Sequence, residues 1–354
     1  MKDFIMNGCP TGDVASRLLN CNFDVATLRP MLHDDGRSYL SLNQGGVLKN
    51  VMIQNDAATL RPYDWKQIDD AIIKVAMPRL KLVGDLRAAG LSYSIPNGMG
   101  KTVLQTENMS DIGDASVSMD GMRENANDRP LFDLQNLPLP IIHKDFSFSA
   151  RQIQASRNGG SPLDTTMAEL AGRKVAEEAE KMAIGVSNND LYKYAGGTIY
   201  GITDYLYRLT QVLTSPEASG WNGETLLAEV LEMKATAFAS NHYGPYVLYV
   251  SPNWDKYIDN DFKSMGTISI RKRLKEIDGL TDIKTLDYMT GYDMALVQMT
   301  SDVIRVVIGM DIVTVEWDSH GGMLKNFKVM AIMVPQLRAD YNEQTGIVHG
   351  AVVP

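Results

Sequence analysis

The sequence predicts an α+β protein. Three observations lead there. Two segments, Tyr63–Leu91 and Leu163–Gly185, repeat apolar residues at helical spacing. Between them runs a long polar stretch with strand-like alternation. After residue 240 strands outnumber helices, and they are not interleaved as regular strand–helix units. With 354 residues, 44% apolar and 22% charged, the chain has ample material for a buried core and for two domains.

Taken in order, residues 1–62 carry scattered Gly, Asn, Asp and Pro and read as loops and short turns. DVATLRP (Asp24–Pro30) returns as DAATLRP (Asp56–Pro62). One heptapeptide is too short for a solenoid, so this is either a chance match or two similar helix-start or docking segments. In Tyr63–Leu91 the apolar stripe is Trp65, Ile68, Ile72, Val75 and Met77, and Pro78 is expected to kink or end the first part. Ser92–Ala150 contains VLQTENM and ASVSMDGM, a polar tip MRENANDRP, and the return LPLPIIHKDFSFSA. It reads as a two-stranded extension with too few large apolar residues for a core of its own, so it must lie across something else or project outward.

The second helix has Ser161 as expected cap, Pro162 at its first position, Asp164 in its first turn and Gly185 as its stop. At 1.5 Å per residue it is a rod of roughly 33 Å. Its expected apolar face is Met167, Leu170, Ala171, Val175, Ala179 and Met182. Glu169, Glu177, Glu178 and Glu180 fall mostly off that face beside Arg173, Lys174 and Lys181, with Glu177 and Lys181 at i,i+4. They read as the solvated side of a beam, not as catalytic acids. After a Gly/Asn/Tyr-rich connection come an amphipathic helix (Glu224–Ala239), a buried strand (Tyr246–Pro252), a short helix in NWDKYIDNDF, and another at Ser269–Ile277. Four strand candidates follow: DIKTLDYM, DMALVQMT, VIRVVIGMDIVTVEW and FKVMAIMVPQLR.

The sequence carries none of the common signatures of catalysis or metal binding. The five histidines, His33, His143, His242, His320 and His349, have no helical metal-ligand spacing. GMGKT (Gly98–Thr102) fails the phosphate-loop pattern, because Ile95 stands where the first glycine belongs. No GxSxG elbow and no dinucleotide fingerprint occurs. Asp255, Asp259 and Asp261 lack the rest of a calcium loop. No catalytic, cofactor-binding or metal residue is assigned, and no enzyme is expected. Cys9 and Cys21 match no zinc or redox pattern, so a reducing compartment is expected. The first residues lack an apolar secretory core, and no run approaches the roughly 18 apolar residues of a membrane span. The formal charge of −9 argues against a surface built to grip nucleic acid, while leaving room for loose enclosure. The basic cluster Arg271, Lys272, Arg273 and Lys275 reads first as a solvated helix face.

The order of parts resembles the major capsid proteins of tailed phages, the Hong Kong 97-like fold, and the encapsulins that share it. DWKQIDDAIIKVAMPRLKLVGD looks like the encapsulin N-terminal helix. LPLPIIHKDFSFSARQI looks like the return strand of the extended loop, and MAELAGRKVAEEAEKMAIG with GITD like the spine helix and its exit. GPYVLYVSPNWDKYI and VIRVVIGMDIVTVEWD resemble the family's strand–helix step and late paired strands. The resemblance spans about Tyr63 to Gln336. It implies an N-terminal arm (1–62), a peripheral N-terminal helix (63–91), an extended loop (92–150), a peripheral domain with spine helix (151–201), an α/β axial domain (202–330), and a C-terminal return strand and tail (331–354). It further implies a viral shell protein that assembles with itself as pentamers and hexamers around double-stranded DNA without sequence specificity. Portal, scaffold or decoration proteins are then expected partners, no membrane is involved, and the place is the virion capsid, built in the host cytoplasm. The alternative within the resemblance is an encapsulin shell around a cargo enzyme; an α+β enzyme is the alternative outside it. Residues 1–62 precede the point where encapsulins usually begin, which suits an arm wrapping a neighbour. The tail ADYNEQTGIVHGAVVP is expected to dock on a neighbour too. Some members of the fold crosslink a lysine to an asparagine; Lys101 and Lys144 lie in the extension, and no crosslink is assigned to them.

Overall fold

A computed structural model describes residues 60–109, 132–159, 164–186, 192–262, 268–340 and 342–352, with residue 119 and parts of the first sixty (5–6, 9–10, 30–32, 37–44 and 47–53). The arm is more regular than its composition predicts. Strands β1 (Ile5–Met6), β2 (Cys9–Pro10), β3 (Met31–Leu32), β4 (Ser38–Gln44) and β5 (Val47–Ile53) form one sheet, with β4 and β5 as an antiparallel hairpin. The loop reading of this region is therefore corrected: LSLN (Leu40–Asn43) alternates apolar and polar residues, the period of a strand. The arm is tied to the body where the Trp65 indole N–H donates to the Pro30 carbonyl at 3.0 Å.

Helix α1 (Pro62–Ala76) has Pro at its start and buries Trp65, Ile68, Ile72 and Ala76. A 3-10 turn at Met77–Arg79 contains Pro78, and α2 (Lys81–Ala88) follows, so the break falls at the proline. Met77, expected on the apolar stripe, is exposed because the helix has already ended there. Next come β6 (Ser92–Ser94), β7 (Val103–Met109), β8 (Phe132–Pro138), β9 (Ile142–Ser149) and α3 (Ala150–Gly159). Strands β7 and β8 pair antiparallel from Val103↔Pro138 to Met109↔Phe132. ASVSMDGM, apart from Met119, and the tip lie outside the described residues.

The spine helix is α4 (Thr166–Ile184). Its start is later than expected: Asp164 precedes the helix and accepts the Thr166 backbone N–H at 3.0 Å, while 161–163 lie outside the described residues. Gly185, at φ 103°, ends it. The buried face is the expected one only in part: Ala171, Val175 and Ala179 are buried and Met182 packs against the core, but the face is rotated toward smaller residues. Met167 and Leu170 are exposed, whereas Ala168, Ala171, Gly172, Val175, Ala176, Ala179 and Ala183 are buried. Small residues let α1 come close: a Cβ on Gly172 would stand 2.7 Å from Ile72 Cγ2. Glu177 pairs with Lys174 at 2.8 Å and Arg173 at 3.4 Å; Lys181 instead lies over the Tyr288 ring.

The remaining elements are β10 (Lys193–Tyr194), β11 (Gly197–Thr198), β12 (Leu209–Leu213), α5 (Gly223–Ala239), β13 (Tyr246–Val250), α6 (Pro252–Ile258), α7 (Ile270–Lys275), β14 (Leu280–Thr285), β15 (Met294–Gln298), β16 (Ile304–Ser319), β17 (Leu324–Leu337) and β18 (Ile347–Val352). Two sheets organise the body. One has the order β12-β18-β15-β13-β14 and packs with α5, α6 and α7 around Leu226, Val230, Met233, Trp254, Ile270 and Leu274. The other has the order β6-β16-β17-β9.

Sheet membership differs from the sequence-based grouping in two ways. Strands β16 and β17, expected with the axial part 202–330, pair with β6 and β9 instead. The C-terminal segment is no docking tail: β18 lies between β12, to which it is parallel, and β15, to which it is antiparallel, with Ile347 and Val348 fully buried. The apolar pairs in GIVHGAVV are what a strand buried on both faces requires.

Candidate assembly surfaces

The residues that could carry chemistry are dispersed. His143 is exposed on β9, with Nδ1 3.7 Å from Asp145 Oδ1. His242 Nδ1 lies 2.6 Å from the Ser240 carbonyl, and His320 sits in a tight turn. His349 Nδ1 accepts from Arg208 Nε at 3.4 Å. His33 and Cys21 lie outside the described residues, as does the Cys9 side chain. Among the described residues no group of three His, Cys, Asp or Glu side chains is arranged to hold a metal. Among them, too, no helix is long and apolar enough to cross a membrane.

The motif GMGKT has a structural task. Its turn docks on β16 where the strand bulges, and a Cβ on Gly98 would meet the Gly309 carbonyl oxygen at 2.2 Å. Lys101 beside it is exposed, as is Lys144. The basic cluster is not a bare solvated face either. Arg271 bridges Asp255 at 2.8 Å and Asp259 at 2.6 Å, Arg273 pairs with Glu276, and Lys275 with Asp282 at 2.7 Å.

One acid of the spine helix has a role that sequence reading missed. Glu180 is buried, and its two carboxylate oxygens accept the backbone N–H groups of Leu82 at 2.6 Å and Val83 at 3.3 Å. It thus satisfies the orphan donors at the start of α2. Burial pushes its pKa up to about 7, against the pull of those N–H bonds, and the carboxylate of Asp85 adds to the rise. Asp85 itself accepts from Lys284 Nζ at 2.6 Å and from the Tyr249 hydroxyl at 3.2 Å. Lys81 reaches Asp287 at 2.7 Å. Helix α2 is therefore a polar joint between the spine helix and the sheet of β13 and β14. The spacing Ala176, Ala179, Glu180, Ala183 was the available signal, because it puts Glu180 on the small-residue face.

The two faces of the β16–β17 sheet are finished differently. On one face Phe327, Val329, Ala331 and Met333 meet α1 and α4, and Phe327 stacks on Phe146 with centroids 5.1 Å apart. On the other, Val307, Met310, Val315, Met330, Ile332 and Val334 are covered by Leu104, Leu137 and Leu139 at the foot of the β7–β8 hairpin. The hairpin then leaves the body. Leu137 and Pro138 are buried, but Phe132 and Leu134, farther along the same strand, are 63% and 53% exposed. Beside its foot lies a groove of about 640 Å³ lined by Leu139, Ile141, His143, Tyr194, Trp317 and Lys328 among others.

Comparison with known proteins gives a consistent picture. The family of unknown function DUF6260 matches residues 55–350. The type 1 encapsulin shell protein EncA of Myxococcus xanthus (strain DK1622) is 24% identical over 214 residues, 60% of this chain and 68% of that one. Among solved structures, the virus-like particle of Pyrococcus furiosus is similar with a TM-score of 0.58 and 17% identity, over 82% of this chain and all of that one. The capsid of Myoviridae phage XM1 is similar with a TM-score of 0.56 and 10% identity, over 77% and 92% of the two chains. The fold is the Hong Kong 97-like fold that these structures share.

Proposed function

We propose that this chain, which belongs to the DUF6260 family, is the subunit of a closed, self-assembling protein shell. One observation carries the reading. Phe132 and Leu134 stand exposed on a strand that, among the described residues, pairs in a sheet only with β7, so the hairpin carries apolar surface that the described residues leave uncovered. Repeated copies supply the missing surface through head-to-tail contacts that close on themselves. The capsid and shell proteins named above, which share the fold, support this.

Within that role the reading is a viral major capsid protein enclosing double-stranded DNA, with pentamers and hexamers of the chain forming an icosahedral shell in the host cytoplasm and a portal, scaffold or decoration protein as further partners. The arm sheet at residues 5–53 supports it, as an element available for strapping a neighbour. The match to the Myxococcus shell protein favours a second reading, an encapsulin-type shell around a protein cargo. Particles purified after nuclease treatment distinguish the two. Protected double-stranded DNA supports the capsid; a small uniform shell with a co-purifying enzyme and no DNA supports the encapsulin and overturns the capsid.

A further inference from the structure

Three strands of one sheet bring two arginines, a glutamine and a tyrosine together. Arg305 on β16 lies directly opposite Gln336 on β17, and Arg338, two residues beyond Gln336, donates its backbone N–H to the Val303 carbonyl at 2.9 Å. Alternation puts Arg305, Gln336 and Arg338 on the same face as Val307, Ile332 and Val334. On the other side of β16, β6 sets Tyr93 opposite Val307, and the Arg305 guanidinium lies over its ring at 4.6 Å. Arg305 Nε donates to Gln336 Oε1 at 2.6 Å, and Gln336 Nε2 donates to Thr106 Oγ1, on β7, at 3.3 Å. Among the described residues, the two terminal amino groups of Arg305 and the whole guanidinium of Arg338 make no hydrogen bond or ion pair. Both arginines are half-buried. The acids beside these residues in sequence do not pair with them: Asp302 and Glu107 are exposed, and Asp340 accepts the Gln344 backbone N–H at 2.7 Å. Burial and then the neighbouring Arg338 hold Arg305 below its usual pKa, and no carboxylate pulls it back.

Two like charges, partly dehydrated and side by side, are a costly arrangement unless an anion joins them. The free N–H groups set the chemistry of that anion. A guanidinium fork matches two oxygens of a phosphate at once, and two positive charges are balanced by a dianion. We propose that Arg305 and Arg338 form a binding site for a dianionic phosphate, as the free ion or as the terminal group of a phosphomonoester, with Gln336 and Tyr93 holding the Arg305 fork in place. A backbone phosphodiester carries a single charge and leaves half of the pair unbalanced. Because Gln336 also binds Thr106, the occupied site fastens the foot of β7 to the end of the sheet. The site lies within one subunit, so it stands or falls independently of the shell reading.

The test titrates the unassembled full chain with inorganic phosphate by calorimetry, in chloride buffer of constant ionic strength at about pH 8, where phosphate is a dianion. Saturable binding of one phosphate per chain is expected, with a thermal midpoint that rises with phosphate and not with chloride. Arg338→Gln should weaken binding about tenfold or more, and should melt no lower than the wild type without phosphate, since a repulsion is relieved. Arg338→Lys keeps the charge without the fork; it should bind with intermediate affinity, and it carries the test if Arg338→Gln does not fold. Arg151→Gln, on α3, should bind as the wild type does. Hydrogen exchange along β7 should slow when phosphate is added to the wild type and not to Arg338→Gln. Phenyl phosphate serves as the second probe: if it binds more tightly than inorganic phosphate the site takes a phosphomonoester, if more weakly the free ion, and both support the proposal. No saturable binding up to about 10 mM phosphate would overturn it. So would equal affinity in the wild type and Arg338→Gln, or displacement of bound phosphate by a DNA duplex without terminal phosphates at equal phosphorus concentration.

Discussion

The two faces of one sheet differ in how completely this chain finishes them. The face under α1 and α4 is closed: Phe327, Val329, Ala331 and Met333 meet alanines, Val175, Trp65 and Ile72, all buried within a single copy. The face under the hairpin is closed only at its middle. Its core ends in exposed Trp317 on one side and in Arg305 and Arg338 on the other, and the hairpin carries exposed Phe132 and Leu134 outward. The first face is what a subunit needs to fold. The second is, on the proposed shell function, what it needs to find copies of itself. Mutations should therefore separate the two: damage on the helix face lowers subunit stability, and damage along the hairpin lowers assembly alone.

The largest effect is expected from Val175→Asp. Val175 is buried between the spine helix and the sheet, and an unpaired carboxylate there should cost about 4 kcal/mol or more, read as loss of cooperative unfolding. An unchanged melt would show that the closed face is not closed. Next is the buried acid at the α2 joint. The Glu180 pKa is raised to about 7 in the folded chain from an ordinary 4.5. Its protonated form thus contributes stability that is complete below about pH 4.5 and lost as the pH rises through 7, up to roughly 3 kcal/mol in all. Glu180→Gln should flatten that part of the stability–pH curve, measured by calorimetry from pH 4.5 to 8. A slope identical to wild type would place the titration elsewhere; Asp204, which burial raises to about 6, is the next group to test. Gly172→Val should overpack the contact with Ile72 and cost about 1–3 kcal/mol in urea unfolding. The smallest change in subunit stability should come from Leu134→Asp, within about 0.5 kcal/mol, since Leu134 is exposed. The same variant should impair shell formation; full assembly together with a lowered melting point would reverse the comparison.

Much of the fold was legible because its elements announce themselves locally. Pro78 broke the first helix where a missing N–H and a ring clash require it, and VLQTENM became β7 residue for residue. What was not legible depended on partners far away in sequence. The spine helix buries alanines and leaves Met167 and Leu170 outside, because close approach of α1 rewards small size over hydrophobicity. Periodicity weights the larger side chains and so rotated the predicted face. Glu180 looked like one more solvated acid, since its two N–H donors lie about a hundred residues away. The C-terminal strand looks like a tail in the sequence because neither of its neighbours, β12 and β15, is adjacent in sequence. The candidate assembly surface was legible only in outline. The hairpin's polarity marked it as needing a partner, but the arginine pair appears only when β16 and β17 are set side by side.

The most direct measurement compares the full chain with one lacking residues 110–131 joined by a short glycine linker. Both are purified, melted as unassembled subunits, and imaged by electron microscopy at assembling concentration. Equal melting temperatures are expected, with closed shells from the full chain and none from the shortened one. Shells of normal size from the shortened chain, or a full chain that stays solitary at high concentration, would contradict it.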